Sequence, residues 1–176
     1  MEKIEIRKAT IKDIYPLQTI SKQTFLETFS ASNSVDDMTA YLDEHFSVEQ
    51  LLSELINDNS EFHFATLHND IIGYLKINFG EAQTELQDSR AIEIERIYVL
   101  KTFHGKHVGQ HLIEKAIQIS KIRKAEYIWL GVWEENERAI GFYTKNGFKA
   151  FDTHLFRLGN DEQTDIMMKL VLTEGE

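Results

Sequence analysis

Gly105, Lys106 and Gly109 lie in a short basic loop whose composition and spacing suit the binding of a phosphate group. The loop follows a segment rich in Ile, Tyr and Val that predicts a strand, and it precedes a segment with the periodicity of an amphipathic helix. Glycine lets the backbone approach an anion closely, and the free N–H groups at the start of a helix attract negative charge. Because short glycine motifs are common, the pattern alone gives only a candidate phosphate loop.

Two well-known phosphate-binding motifs do not match this loop. A P-loop has Ser or Thr after its Gly-Lys pair, where the hydroxyl binds magnesium, whereas here His107 follows Gly105 and Lys106. A dinucleotide-binding fingerprint has three glycines at its own spacing within an early strand–helix–strand unit, and this chain has neither feature. The loop therefore belongs to another class of phosphate site.

Three histidines cluster around the same loop. His107 and His111 are four residues apart, a spacing that can bind zinc, and His104 lies just before them. No Glu lies between the two spaced histidines, as the zinc hydrolase motif would require. Because the cluster coincides with the expected phosphate site, we predict no metal site.

The composition predicts one globular domain. The chain has 176 residues, of which 42% are hydrophobic, and it has no cysteine. The lack of cysteine excludes a disulfide framework, a cysteine nucleophile and a thiolate metal site. The first ten residues contain no apolar signal segment and no run is long enough to span a membrane, so we expect a cytoplasmic protein without a membrane partner.

The charge balance is strongly acidic. There are 29 Asp and Glu against 19 Lys and Arg, which gives a formal net charge of −10 at pH 7. Proteins that bind duplexes usually carry a basic face, so the charge disfavours a nucleic acid partner. An acidic surface attracts cations at long range, but it also promotes solubility alone, so the charge has little weight in choosing a partner.

The order of the predicted elements indicates an α/β fold. A strand near the N-terminus is followed by a capped turn over residues 10–13 and by a helix with Pro16 in its first turn. Ser34 and Ser47 are placed to cap two further helices. A hairpin with its turn at Asn69 and Asp70 comes next. The complete predicted order, β-α-α-α-β-β-β-α-β-α-β-β, is typical of a sheet covered by helices.

Two segments resemble the sequence motifs of the Gcn5-related N-acetyltransferase (GNAT) superfamily. In motif A a strand ending in Val leads through R/Q-G-x-G-x-G/A into a helix; here His104 stands in place of Arg or Gln, and His107 in place of a glycine. The residues that match motif A are Val99, His104, Gly105, Lys106, His107, Val108 and Gly109. Motif B, V-x-x-x-N-x-x-A-x-x-F-Y-x-K-x-G-F, matches at Asn136, Ala139, Phe142, Tyr143, Lys145, Gly147 and Phe148. Within the superfamily, the chain looks most similar to the bacterial Pai-type spermidine/spermine N-acetyltransferases.

The resemblance implies a GNAT-type acyl-CoA N-acyltransferase fold, with residues 1–176 forming a single domain. Such a fold has a central mixed sheet, two parallel strands that splay apart, and helices on both faces. The resemblance also implies acetyl-CoA as co-substrate, with its pyrophosphate on the motif A loop and its pantetheine arm along the preceding strand. The residues expected to bind it are Ile97, Tyr98, Val99, His104, Gly105, Lys106, His107, Val108, Gly109, Asn136 and Lys145.

Three of these residues have specific expected roles. The N–H of Val99 is expected to face the thioester oxygen as an oxyanion donor. Asn136 is expected to cap a helix and to touch the pantetheine arm. Lys145 either contacts the cofactor phosphates or is solvated, and the resemblance does not decide between the two.

Acetyl transfer to an amine requires proton transfers at both ends of the reaction. The alkylammonium group, with a pKa of about 10, must lose a proton, and the leaving thiolate must be protonated or stabilised. By resemblance Tyr143 is the general acid, although an aromatic at this helical position also suits a core. Glu95 is the predicted base, acting through water, because strand parity places it with Val99; Glu93 is the alternate. The competing interpretations of Glu95 are an exposed charge and an ion pair with Arg96 or a nearby lysine.

The N-terminal helices generally form the acceptor side in this family. Residues 24–47 contain Glu27, Asp36 and Asp37 among aromatic side chains, which suits an elongated polycation, although such acids also suit the solvated face of a helix. We therefore predict an N-acetyltransferase for a small-molecule primary amine, with a polyamine such as spermidine or spermine as the leading candidate. Two alternatives stay open: a protein N-terminal or lysine acetyltransferase, and a non-catalytic CoA-binding regulatory sensor. A homodimer is common in the family, but the sequence shows no interface signal.

Overall fold

The computed structural model describes residues 2–172 and consists of one seven-stranded sheet with five α-helices. The helices are α1 (Ile14–Phe29), α2 (Val35–His45), α3 (Val48–Leu55), α4 (Val108–Ile122) and α5 (Glu137–Lys145). The strands are β1 (Ile4–Lys8), β2 (Ser60–Leu67), β3 (Asp70–Phe79), β4 (Ala91–Val99), β5 (Tyr127–Trp133), β6 (Lys149–Leu158) and β7 (Asp161–Val171). The predicted element order is confirmed.

The sheet has the strand order β1-β2-β3-β4-β5-β7-β6, and its neighbouring strands are antiparallel except for β4 and β5. These two central strands are parallel because α4 connects them across one face of the sheet. Helices α4 and α5 pack on this face around Leu112, Ile113 and Phe148. Helices α1, α2 and α3 cover the opposite face around Leu17, Leu51 and residues of β2 and β3.

Side-chain caps define where the N-terminal helices begin, as the sequence predicted. Ser34 Oγ accepts a hydrogen bond from Asp37 N, and Ser47 Oγ accepts one from Gln50 N, each at 3.1 Å. These bonds satisfy backbone donors that a helix cannot pair internally. The predicted capped turn before α1 is also present: Thr10 N donates to the Asp13 carboxylate at 2.9 Å.

The turn between β2 and β3 lies one residue earlier than predicted. His68 and Asn69 both have positive φ angles, of 51° and 69°, and they form the two central turn positions before β3 begins at Asp70. Two consecutive left-handed residues match the right-handed twist of a two-residue hairpin. The prediction had placed the turn at Asn69 and Asp70, because both residue types favour turns.

A β-bulge in β4 separates the two central strands. β4 pairs with β5 only over Ala91–Ile94, and the next residue, Glu95, has no register partner on β3, where Lys76 faces Arg96 and Ile77 faces Ile94. An extra residue bends the strand and increases its twist. The second half of β4 therefore diverges from β5 and opens a cleft through the sheet.

The bulge also changes which residues share a face of β4. Ile94 and Ile97 both contact the α4 side, although they are three residues apart. Arg96 lies instead on the opposite side, stacked over the Phe46 ring. The parity argument that placed Glu95 with Val99 is therefore wrong, because alternation is interrupted at Glu95 itself.

No helix between residues 2 and 172 has both the length and the apolar character needed to cross a bilayer.

Candidate active site

A cavity of about 640 Å³ occupies the cleft where β4 and β5 diverge. One wall is the second half of β4, from Ile97 to Val99, and the facing wall is the end of β5, from Gly131 to Trp133. Helices α1 and α2 contribute side chains from one face of the sheet, whereas α4 and α5 contribute from the other. The cavity is thus lined by side chains from both helical layers.

The loop before α4 presents unpaired backbone donors to this cavity. Gly105 has a φ of 79° and His107 a φ of 66°, so both residues adopt a left-handed backbone conformation. They produce a chain reversal immediately before α4 begins. The first intrahelical bond after this reversal runs from His111 N to His107 O, at 3.2 Å. The N–H groups that precede His111 at the helix start lack an intrahelical acceptor and are available to an anion.

His104 ties this loop to its neighbours. Its Nδ1 accepts from Arg138 Nη1 at 2.8 Å, and its Nε2 donates to the Val99 carbonyl at 2.9 Å. Since a guanidinium can only donate and a carbonyl can only accept, these bonds define the Nε2–H tautomer of the imidazole. His104 therefore joins the end of β4 to the first turn of α5 and holds the Arg138 guanidinium at the cavity.

The backbone of β4 beyond the bulge is open toward the cleft. Leu100 N donates to Ile72 O at 2.9 Å, so at this end of the strand the even-numbered residues bond to β3. The N–H groups of Ile97 and Val99 and the C=O of Ile97 consequently point away from β3 and toward the cavity, whereas the C=O of Val99 already accepts from His104. An extended ligand arm can pair with them as an added strand would.

Tyr143 reaches the cavity from α5. Its side chain is 7% exposed and packs against Phe142 and Phe148, and the burial raises the pKa of its phenol. Within residues 2–172 its hydroxyl has no hydrogen-bond partner, although the residue lines the cavity. The phenol therefore stays protonated at physiological pH and is free to donate to a group bound in the cleft.

Asn136 is the residue immediately before α5. Its Oδ1 accepts from Ala139 N at 3.2 Å, which confirms the predicted helix cap, and the residue lines the cavity. Lys145 lies at the other end of α5 and also lines the cavity.

Glu95 is enclosed in a network of charges beneath the cavity. Its carboxylate accepts hydrogen bonds from Lys76 Nζ and Asn78 Nδ2, each at 2.8 Å, and forms an ion pair with Arg96 Nη2 at 3.0 Å. Burial alone would raise its pKa, but the charges of Arg96 and Lys76 and the hydrogen bonds lower it to about 2. Glu54 completes the network through Lys76 and Arg96. The interpretation of Glu95 as an ion-pair partner is confirmed. The role of Glu95 as the catalytic base stays a prediction. The arrangement does not favour this role, because the carboxylate is occupied by the surrounding cations.

The alternate base, Glu93, is 3% exposed and its carboxylate is likewise occupied. It accepts from Thr84 N at 2.8 Å and from Asn78 Nδ2 at 3.0 Å, and Thr84 Oγ1 donates to it as well. Burial raises the pKa of Glu93 in spite of these bonds. The carboxylate thus anchors the loop before β4, and it does not line the cavity.

Aromatic side chains form most of the wall on the α1 and α2 side. Phe25 stacks on Tyr41 with ring centroids 4.6 Å apart, and Phe29 packs against Trp133 and Phe156 at 5.7 and 6.0 Å. Two carboxylates interrupt this wall, Glu27 on α1 and Asp165 on β7. The wall offers π faces and negative charge, which together attract organic cations.

The family model described as acetyltransferase (GNAT) family matches residues 22–148. The chain belongs to this family. It is 37% identical to an uncharacterized N-acetyltransferase from Lactobacillus delbrueckii subsp. lactis, over 98% of this chain and 99% of that protein. It is 28% identical to a spermidine N(1)-acetyltransferase from Thermoplasma acidophilum, over 85% and 91% of the two chains.

A solved structure of a GNAT relative has the same fold. The PaiA N-acetyltransferase from Thermoplasma acidophilum, in complex with coenzyme A, superposes with a TM-score of 0.81 at 25% identity, over 97% of this chain and 99% of that one. The predicted family, fold class and co-substrate are therefore confirmed: the chain is an acetyl-CoA-dependent N-acetyltransferase.

The cavity suits acetyl-CoA in each of its parts, and this co-substrate supplies the acetyl thioester. The donors at the start of α4 and the guanidinium of Arg138 suit phosphates, and the open edge formed by Ile97 and Val99 suits the pantetheine amides. Tyr143 borders the same cavity.

Most of the site residues predicted from the sequence lie at the cavity. Those that line it are Ile97, Tyr98, Val99, His104, Gly105, His107, Val108, Gly109, Asn136, Lys145, Tyr143 and Glu27. Lys106 does not line it; its Nζ lies 5.4 Å from the centroid of the Phe103 ring. Asp36 and Asp37 also lie outside, in the first turn of α2, where their charges favour the helix dipole. Residues 2–172 contain no group of three or more His, Asp or Glu placed to hold a metal ion.

Arg138 and Asp165 are two charged residues at the cavity that the sequence analysis did not single out. Arg138 lies in motif B two residues after Asn136, where the motif itself specifies no residue type. Asp165 opens an apolar strand segment, and the only available signal was an acidic residue before a run of Ile and Met. Both are brought to the cavity by elements distant in sequence from the motif A loop.

Proposed function

We propose that this GNAT enzyme transfers the acetyl group of acetyl-CoA to a primary amine of a polyamine such as spermidine or spermine. The observation that supports this proposal is the acceptor side of the cavity, where aromatic rings alternate with the carboxylates of Glu27 and Asp165. A polyamine presents methylene segments between cationic nitrogens. Aromatic faces match both features, through apolar contact and cation–π attraction, and the carboxylates match the charge.

The relatives favour the same class of acceptor. The Thermoplasma acidophilum protein, which covers most of this chain at 28% identity, is a spermidine N(1)-acetyltransferase. The similarity is modest, so it ranks polyamines first among small amines without replacing a direct test of the acceptor.

In this proposal Tyr143 is the general acid. Its phenol faces the cavity from the α5 side, opposite the aromatic wall, so an amine and a thiol leaving group can occupy the two sides of the cleft. A phenol whose pKa is raised by burial remains protonated and donates a hydrogen bond to the sulfur as negative charge develops there. Val99 N–H serves as the donor to the carbonyl oxygen.

The direct test is thiol release from acetyl-CoA by the purified enzyme with separate acceptors. Spermidine, spermine, free amino acids, an aminoglycoside and short peptides with free N-termini or lysines would each be offered, with 1,4-butanediol as an uncharged control. We expect spermidine or spermine to drive release with the highest kcat/KM. Faster release with a peptide would instead favour a protein acetyltransferase, and acetyl-CoA binding without release by any amine would favour a regulatory sensor.

A further inference from the structure

Asp165 is an acidic side chain of the cavity that pairs with no lysine or arginine among the described residues. It lies near the middle of β7, where it faces Trp133 on β5 and His154 on β6 in the strand register. Within residues 2–172 no Lys or Arg forms an ion pair with it, and no protein donor hydrogen-bonds to its carboxylate. His154, its nearest basic neighbour, is itself paired with Glu85 at 3.0 Å.

We propose that Asp165 binds the ammonium group of the acceptor and removes its proton, and that it is therefore the catalytic base of this enzyme. The inference rests on the proposed transfer to an amine. It concerns which residue performs the step and not which amine is used.

A glycine diagonally across the strands leaves the Asp165 carboxylate uncovered. Gly131 on β5 lies two residues before Trp133 and points to the same face of the sheet. A Cβ at Gly131 would lie 3.5 Å from Asp165 Oδ2, so any larger side chain would cover this oxygen. Because Gly131 has no side chain, the Asp165 carboxylate lies over the exposed backbone of β5. This position is next to the point where β4 and β5 diverge.

The surroundings of Asp165 suit a cation more than they suit water. Trp133, Phe156 and Tyr41 line the same part of the cavity, with the Tyr41 and Phe156 rings 5.9 Å apart. Rings that flank a carboxylate hold an alkylammonium by cation–π attraction while they exclude solvent. Asp165 thus offers what Glu95 lacks: a negative charge that faces the cavity and is not neutralised by the protein.

The titration of Asp165 agrees with a base that works near neutral pH. Burial raises its pKa to about 6, against a smaller lowering by His154. Three titratable groups face Asp165 or its neighbours: His154 from β6, Glu85, which is paired with that histidine, and Tyr41 from α2. Burial raises the pKa of Tyr41 to about 12. A carboxyl group with this pKa is ionised at pH 7 and is a stronger base than an exposed aspartate.

The proton balance of the step is as follows. One ammonium proton moves to the Asp165 carboxylate, and the freed electron pair forms the bond from nitrogen to the acetyl carbon. The carbon–sulfur bond breaks with its electron pair on sulfur, which is protonated to the thiol. The nitrogen loses a second proton as the amide forms, so one of the two protons ends on the thiol and one in solvent.

The test compares Asp165→Asn with Asp161→Asn, a change to an exposed aspartate on the same strand. Thiol release with spermidine would be measured from pH 5 to 9, and acetyl-CoA affinity by calorimetry. For Asp165→Asn we expect kcat/KM for spermidine to fall by about 100-fold or more, with acetyl-CoA affinity unchanged. In the wild type and in Asp161→Asn, kcat/KM should rise with pH and reach a plateau above about pH 7. This rise on the acidic side should be absent in Asp165→Asn. A wild-type kcat/KM and pH profile in Asp165→Asn would overturn the proposal.

A second measurement separates this proposal from the acceptor assignment. If the wild type releases thiol with another amine, the kinetic comparison is made with that amine. If no amine drives release, the proposed function fails, and the assignment of Asp165 is decided by its ¹³C carboxyl resonance, identified by its loss in Asp165→Asn. A spermidine-dependent shift of this resonance and a lowered pKa would support an ammonium site, whereas an unchanged titration would overturn it.

Discussion

Glu95 and Arg96 direct their side chains to the same side of β4, although they are adjacent residues in a strand. The bulge at Glu95 removes the usual alternation, and the Glu95 carboxylate consequently lies 3.0 Å from Arg96 Nη2 and 2.8 Å from Lys76 Nζ. The same irregularity ends the pairing of β4 with β5. The extra residue in β4, Glu95, is thus associated both with the opening of the cleft and with the buried charge network below it.

We predict that Glu95→Gln lowers stability. The change leaves the buried charges of Lys76 and Arg96 without one of their shared partners, which typically costs about 3–5 kcal/mol when a buried pair is broken. Lys76 and Arg96 both still contact Glu54 in this variant. The loss of folding free energy should therefore be near the low end of this range. A melting experiment should show a Tm lowered by roughly 5–10 °C, whereas Glu5→Gln on the exposed face of β1 should change little.

The kinetic profile of Glu95→Gln gives an independent outcome. If Glu95 is structural, the folded fraction of this variant keeps the wild-type dependence of kcat/KM on pH. If Glu95→Gln instead loses the rise of kcat/KM with pH on the acidic side and keeps the wild-type Tm, Glu95 is the base.

A second prediction concerns acid unfolding. The folded-state pKa of Glu95 is lowered from 4.5 to about 2, so its stabilising contribution is fully present above pH 4.5 and is lost as the pH falls toward 2. Denaturant titrations should show the free energy of unfolding decreasing between pH 4.5 and 2 by several kcal/mol in the wild type. Glu95→Gln should show a smaller decrease over this interval, and an equal decrease in both proteins would contradict the assignment.

The third prediction tests Tyr143 as the general acid. Tyr143→Phe removes only the hydroxyl, which has no partner within residues 2–172, so the packing of the ring against Phe142 and Phe148 should persist. Turnover should fall by about 10²- to 10⁴-fold, while acetyl-CoA still binds. Tyr15→Phe, at a position 67% exposed, is the matched control. Unchanged turnover in Tyr143→Phe would assign this residue to the core alone.

The fourth prediction concerns Arg138 and the phosphate loop. Arg138→Ala removes a guanidinium from the cavity and the hydrogen bond that orients His104. Since a hydrogen bond with a charged partner contributes about 1.5–3 kcal/mol, the Kd for coenzyme A should rise roughly tenfold or more. Lys121→Ala, at the opposite end of α4, removes the same charge far from the loop and should leave the Kd unchanged. Equal affinities in calorimetry would exclude Arg138 from cofactor binding.

The fifth prediction separates the acidic residues of the N-terminal helices. The paired change Asp36→Asn and Asp37→Asn should leave the KM for spermidine within about twofold of the wild type, because surface charges outside the cavity act only at long range. Glu27→Gln should raise this KM, since Glu27 lines the cavity. A raised KM in the paired variant at physiological ionic strength would place those two acids in the acceptor path.

Local features were predictable because neighbouring residues determine them. Ser34 and Ser47 cap their helices through bonds to residues three positions on, and Asn136 does the same for α5. The phosphate loop was recognisable for a related reason: the strand, the loop and the helix that form it are consecutive in the chain. His107 shows the limit of this reasoning, because its left-handed backbone replaces the glycine that the motif would supply.

The sequence by itself determined the order of the elements, the caps, the phosphate loop and the family, since each depends on residues close together in the chain. Only the tertiary structure decided that Glu95 pairs with Lys76, that Arg138 reaches His104, and that Asp165 stands over Gly131. These contacts join residues 19, 34 and 34 positions apart, as their numbers give, and they depend on strand register and on one bulge. Because a shift of a single residue turns a side chain to the opposite face, alternation in the sequence could not identify which carboxylate faces the cleft.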